Sequence, residues 1–98
     1  MHKGGATYII TNQHHTVLYI GSTSDLKQRI HRHRVGYYPQ AFSLKYSVYK
    51  LVYHEGFPTI KEAINREYQL KAGPRKKKIE LINTMNPQWR DLYEQLVK

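Results

Sequence analysis

The sequence predicts one α+β domain with the element order ββαβαα, and three observations carry that prediction. Two β-branched and aromatic runs, residues 6–11 and 16–21, flank the polar stretch Asn12-Gln13-His14-His15. The glycine break and cap-rich run Gly21-Ser22-Thr23-Ser24-Asp25 precedes a helical pattern. Thr59 and Glu62, three residues apart, form a capping box that opens a second helix, and Gly73-Pro74 stops it.

Taken in order, residues 6–11 and 16–21 make a β-hairpin with a turn of four or five residues. The first helix is expected over 25–34, with Leu26 and Ile30 one turn apart on its buried stripe. Residues 35–43 hold Gly36, Tyr37, Tyr38 and Pro39 without regular period and read as a loop. A third strand is expected over 46–53, where Val48, Lys50 and Val52 alternate with Tyr49, Leu51 and Tyr53. The helix capped by Thr59 runs to Ala72. Another starts at Pro74, a residue favoured in the first turn, and carries Ile79, Leu81, Ile82 and Met85 before Asn86-Pro87 ends it. Trp89, Leu92, Tyr93 and Leu96 form a closing segment that packs back on the core.

Length and charge narrow the function. Ninety-eight residues make a single domain spanning 1–98, with 1–5 expected to fray. The absence of cysteine excludes a disulfide framework and a thiolate zinc site, fits a reducing cytoplasm, and leaves His and carboxylates as the strong metal ligands. No apolar run approaches the ~20 residues that span a bilayer, so no membrane partner is expected. Sixteen Lys and Arg against seven Asp and Glu give a formal net charge of +9, and nine tyrosines accompany it. Such a surface favours a polyanion, because each neutralised phosphate releases counterions and tyrosine stacks on bases or hydrogen-bonds phosphate; nucleic acid is the expected partner.

Two helices place polar residues on inward faces. On the first, Arg29 falls about 60° and His33 about 20° from Leu26 at 100° per residue, so both point toward the core. A snorkelling arginine with a hydrogen-bonded core histidine accounts for this as well as a chemical site does. On the second, Ile60, Ala63 and Ile64 set the stripe and Glu67 lies at its centre, about 20° from Ile60. A carboxylate there is costly unless paired or liganded. An ion pair with Lys71 or Arg66 and a divalent-cation site both satisfy it. His14-His15 is expected in solvent. Lys71, Arg75, Lys76, Lys77 and Lys78 form a basic cluster, five cations within residues 71–78, that is either a solvated face or a grip on a phosphate backbone.

Thr7-Tyr8-Ile9, Leu18-Tyr19-Ile20-Gly21-Ser22, Asp25-Leu26-Lys27-Gln28-Arg29-Ile30 with His33, Ala63-Ile64-Asn65-Arg66-Glu67 with Leu70-Lys71, and Met85-Asn86-Pro87 with Trp89 together resemble the GIY-YIG nuclease superfamily. The resemblance covers nearly the whole chain and is greatest to the small stand-alone bacterial members. It implies a three-stranded antiparallel sheet flanked by helices and a divalent-metal-dependent phosphodiesterase site on DNA or another nucleic acid, with little sequence specificity. A nucleic-acid-binding module of weak or no turnover, acting with a partner protein, is the alternative. Carried over by position, Tyr8 and Tyr19 match the motif tyrosines, Arg29 the arginine, His33 the histidine one turn later and Glu67 the metal-binding glutamate. Asn86 matches the late asparagine, with Asn83 competing. Glu67 is then expected to hold Mg²⁺ or Mn²⁺ and Arg29 to clamp a non-bridging oxygen. Tyr8 or Tyr19 serves as general base, and His33 either bonds that tyrosine or takes the proton itself. Lys45, Lys71, Arg75, Lys76, Lys77 and Asn86 are the expected nucleic-acid contacts of a monomer. The chain departs from the motif at Thr7, which replaces a glycine, and at Phe42, where many members carry a polar ring.

Overall fold

β-branched and aromatic residues pack well on a pleated surface, and the longest such run of the chain becomes the middle of its sheet. A computed structural model describes residues 4–36 and 47–97. In it β1 (Gly5–Thr11) lies between β2 (Leu18–Thr23) and β3 (Lys50–Phe57), antiparallel to both. The helices are α1 (Leu26–Arg34), α2 (Ile60–Ala72), α3 (Arg75–Met85) and the single turn α4 (Tyr93–Leu96). The predicted α+β class, strand count and order ββαβαα are those of the structure.

Strand alternation sends β1 side chains to two different cores. Tyr8 and Ile10 pack with Ile30 of α1, Leu51 and Leu92 on one face, while Ile9 packs with Ile20, Leu70 of α2 and Ile82 of α3 on the other. Both faces are therefore covered, and Thr7 is wholly buried beneath α2, where its Oγ1 donates to the Ala63 carbonyl at 2.7 Å. The buried hydroxyl at this position is thus itself satisfied, by a helix carbonyl that has a second lone pair to offer. Gly5 permits the close approach of α2, since a Cβ there would lie 2.8 Å from the Ile60 Cα.

The caps form as the sequence expects. Asp25 accepts from the Gln28 amide at 3.1 Å, and the Thr59 hydroxyl accepts from the Glu62 amide at 3.2 Å while donating to its carboxylate at 3.0 Å. Strand limits move. β2 starts two residues later than predicted because Asn12 Oδ1 takes the amides of Thr16 at 2.9 Å and Val17 at 3.1 Å into the turn. It continues to Thr23, because Gly21 pairs with Tyr8 inside the strand and does not break it. β3 runs over Lys50–Phe57 and not 46–53, because β1 begins at Gly5 and Gly5 pairs with Phe57. Gly5 is accordingly in the sheet, not in a frayed end. Ile60 is 39 % exposed although its position suggested the buried stripe; it starts α2 at the end of the sheet, where it is only partly covered.

A bulge opposite Ile9 and Ile10 leaves Val52 as the extra residue of β3, and the segment after α3 seals this edge. Asn86 Nδ2 donates to the Val52 carbonyl at 3.2 Å and to the Arg90 carbonyl at 2.8 Å, and its Oδ1 accepts from the Arg90 amide at 3.0 Å. The Leu51 amide donates to Asp91 at 3.2 Å, and the Leu92 amide donates to the Leu51 carbonyl at 2.7 Å. Arg34 closes the same corner: it pairs with Asp91 at 2.6 Å and lies 4.5 Å from the centre of the Tyr93 ring. Leu92, Tyr93 and Leu96 pack back on the core as the closing segment was expected to do.

Candidate active site

Tyr8 and Gly21 face each other across the β1–β2 pair, which decides what the Tyr8 ring can do. A Cβ at Gly21 would stand 2.6 Å from Tyr8 Cζ, so the glycine is what lets the ring lie flat over β2. Tyr8 is wholly buried there, and its hydroxyl lies 3.1 Å from His33 Nε2. His33 comes from the inward face of α1 and is 6 % exposed, as the wheel predicted. Tyr19, half-buried and two residues before Gly21, completes a triangle of rings. Its centroid is 6.4 Å from that of Tyr8 and 5.5 Å from that of His33, and the Tyr8 and His33 centroids are 6.0 Å apart.

Burial sets the charge states. It pushes the Tyr8 phenol well above the usual tyrosine range, although the hydrogen bond and positive charge of Arg29 work against it. Burial, with the Arg29 charge adding to it, pushes the His33 imidazole down to about 4. Near neutrality Tyr8 is therefore protonated and His33 neutral, so the contact is a hydrogen bond between uncharged partners whose direction follows the His33 tautomer. Arg29 lies one turn before His33 on α1, half-buried with its Nε shielded from solvent.

Glu67 stands on α2, the helix covering the opposite face of the sheet, and its charge nevertheless bears on the titration of Tyr8. Its side chain is 15 % exposed; Oε1 accepts from Ser22 Oγ at 2.5 Å and Oε2 meets Lys71 Nζ at 2.5 Å. Of the two counter-charges the sequence offered, Lys71 takes the role, and Arg66 goes instead to Glu55 at 3.0 Å. Ser22 was not singled out by sequence reasoning. The signal was strand alternation: Ser22 is the residue after Gly21, so it turns to the face that α2 covers.

The chain matches the family model described as the GIY-YIG catalytic domain over residues 4–80. It belongs to the GIY-YIG family. The family is nuclease-like, and GIY-YIG nucleases generally depend on a divalent metal. A UPF0213 protein of Staphylococcus saprophyticus is 39 % identical over 66 residues, covering 67 % of this chain and 79 % of the relative. A UPF0213 protein of Staphylococcus aureus is 37 % identical over 65 residues, covering 66 % and 78 %. The solution NMR structure of a UPF0213 protein from Bacillus halodurans superposes with a TM-score of 0.56 at 26 % identity, over 90 % of this chain and 92 % of that one.

The GIY-YIG fold thus brings Tyr8, Tyr19, Arg29 and His33 together and sets Glu67 within electrostatic reach of Tyr8. No cluster of three or more His, Cys, Asp or Glu side chains exists among the described residues. The donor set still fits Mg²⁺ or Mn²⁺, because such ions are commonly held by one or two carboxylates and completed by water and substrate phosphate. Each Glu67 oxygen has one partner and retains a lone pair. Asn86 is not part of this cluster; it is 5 % exposed and its amide is spent on the β3 edge, while its competitor Asn83 holds the Trp89 indole N–H at 2.7 Å. Arg75, Lys76 and Lys77 are exposed on the first turn of α3. Lys78 turns back to cap the Gly73 carbonyl at 2.6 Å. Lys45 and Phe42 lie outside the described residues.

Proposed function

We propose that this GIY-YIG chain is a Mg²⁺- or Mn²⁺-dependent endonuclease that hydrolyses phosphodiester bonds of DNA, or of another nucleic acid, with little sequence specificity. The observation that carries the reading is the contrast between the two tyrosines around a neutral histidine. Tyr8 is wholly buried, and burial opposes its ionisation. Tyr19 is only half-buried and can meet water and substrate. Tyr19 is then the general base, and Tyr8 and His33 are positioning residues that fix its ring. Arg29, permanently charged, holds a non-bridging phosphate oxygen in place for in-line attack. Glu67, oriented by Ser22, holds the cation, and the bound cation supplies Lewis-acid stabilisation of phosphate and leaving-oxygen charge. In the hydrolysis the water oxygen bonds to phosphorus, Tyr19 Oη takes the water proton as its own phenolic proton passes to solvent, and the P–O3′ bond breaks. The departing oxygen acquires its proton from solvent. Lys71, Arg75, Lys76 and Lys77, with Lys45, grip the flanking backbone.

Nicking of supercoiled plasmid and cleavage of a single-stranded oligonucleotide during a Mg²⁺ or Mn²⁺ titration test the reading. Tyr19→Phe and Glu67→Gln should each lose at least about 100-fold in rate while retaining DNA affinity, in line with the loss of a general base or an electrostatic anchor. Absence of any metal-dependent cleavage by the wild-type chain, with DNA affinity retained, would overturn the enzyme and leave the binding module.

A further inference from the structure

The turn between β1 and β2 carries an aromatic pair that the proposed chemistry does not use. His15 was expected in solvent; its ring instead stacks on that of Trp89, with centroids 4.7 Å apart and planes tilted by 31°. Both residues adopt left-handed backbone, with φ of 60° at His15 and 54° at Trp89. Histidine tolerates this conformation in a turn, but for the bulky Trp89 it is costly and persists only where its surroundings enforce it. Here Asn83 fixes the indole through its N–H at 2.7 Å, Lys50 Nζ lies 3.0 Å from His15 Nε2, and an Arg75 guanidinium nitrogen donates to the His15 carbonyl at 3.1 Å. Four separate segments thus converge on one half-buried pair of rings. Among the described residues neither Lys50 nor Arg75 forms an ion pair with a carboxylate, so both charges are available to an anion.

We propose that His15 and Trp89, flanked by Lys50 and Arg75, form a stacking site for an unpaired nucleobase, and that it holds a single-stranded segment beside the scissile phosphate. The proposal rests on the nuclease reading and names the form of nucleic acid that this reading left open. Aromatic planes grip bases whose faces are open, which a duplex withholds, and adjacent cations hold the flanking phosphates. Burial and the charge of Lys50 keep the His15 ring neutral, so it adds a flat surface without losing the Lys50 contact. The path back to the site is basic: Lys71 sits on Glu67, and Arg75 follows four residues later. The four residue steps from Tyr8 to Asn12, just past the end of β1, span about 13 Å, or about four stacked nucleotides at 3.4 Å each.

Trp89 is the single tryptophan of the chain, so its fluorescence reports the site directly. Titration of the full chain with a ten-nucleotide single-stranded oligothymidylate should quench it to saturation, and a duplex of the same length should quench it far less. Trp89→Ala, followed by anisotropy of a labelled oligonucleotide, should bind about tenfold more weakly or worse. Lys50→Ala, which keeps the fluorophore, should weaken binding and lower the salt slope by about one. Oligonucleotide binding that leaves Trp89 emission unchanged and is insensitive to Lys50→Ala overturns this site and leaves the nuclease reading standing. Equal quenching by duplex, or by polyglutamate, overturns base stacking in favour of a plain anion or acidic-peptide surface. Failure of plasmid and oligonucleotide alike to bind by any probe removes both readings.

Discussion

Gly21→Ala is the substitution that most directly tests how the site is built. A methyl group at this position would begin 2.6 Å from Tyr8 Cζ, whereas ordinary contact starts near 3.4 Å, so the ring must retreat by about 0.8 Å. It has no free space to enter, since Tyr8 is wholly buried among Ile10, Ile30, Val48 and Leu51. Overpacking of this kind costs about 1–3 kcal/mol. Displacing the hydroxyl from His33 adds the loss of a buried hydrogen bond, about 1 kcal/mol. The expected total is about 2–4 kcal/mol, read from urea denaturation at constant m-value with Trp89 fluorescence and circular dichroism as probes. Gly56→Ala is the internal control. It is the same substitution in the same sheet, but nothing lies within 4 Å of its Cβ position, so its stability should change by less than about 0.5 kcal/mol or rise slightly. Because the Tyr8 and His33 rings lie beside that of Tyr19, the proposed base, Gly21→Ala should also slow plasmid nicking well beyond any loss of folded protein. Equal stabilities for the two alanine variants would refute the account of the glycine and of the ring it seats.

The remaining predictions concern the groups around that ring. His33 ionises at about 4 in the folded chain and near the ordinary 6.5 when unfolded, so between these values the unfolded state binds the extra proton. Stability should therefore fall by up to about 3 kcal/mol as pH drops from 7 to 4. His54 and His15, lowered chiefly by burial, steepen the fall, and urea midpoints for His33→Gln should show a shallower one. At the alkaline end Tyr8 stays protonated when folded but ionises above its ordinary value of 10 when unfolded, so stability should decline again as pH rises past 10. Asn86→Ala should cost about 2–3 kcal/mol, since it leaves the Val52 carbonyl and the Arg90 amide and carbonyl without their side-chain partner, and should leave DNA affinity unchanged in a binding assay on folded protein. Thr7→Val, nearly isosteric, should cost about 1 kcal/mol in the same denaturation assay by removing the buried hydroxyl's bond to the Ala63 carbonyl, which keeps its helical partner.

The sequence by itself determined the element types and the inward polar residues, because those follow from periods of two and 3.6 and from caps that act within one turn. Arg29, His33 and Glu67 stood out on helical wheels before any partner was known, and Asp25 and Thr59 marked helix starts through short-range hydrogen bonds. The limits of β2 and β3 were not legible, because a strand ends where its neighbour does. β3 reached Phe57 since β1 starts at Gly5, and Gly21, which read as a break, stayed in β2 because a ring from the next strand covers it. Partner choice was equally hidden: Lys71 and Arg66 were equivalent candidates for Glu67 until α2 set Glu55 beside Arg66 and Ser22 beside Glu67. Asn86 drew attention as a motif asparagine, yet long-range packing gives its amide to a bulge in β3. His15 looked solvated beside His14, and only the return of the chain after α3 brought Trp89 onto it. Local chemistry thus fixed what each residue could do, while burial and long-range contact decided which tyrosine meets water, which cation pairs with the carboxylate and which histidine stays neutral.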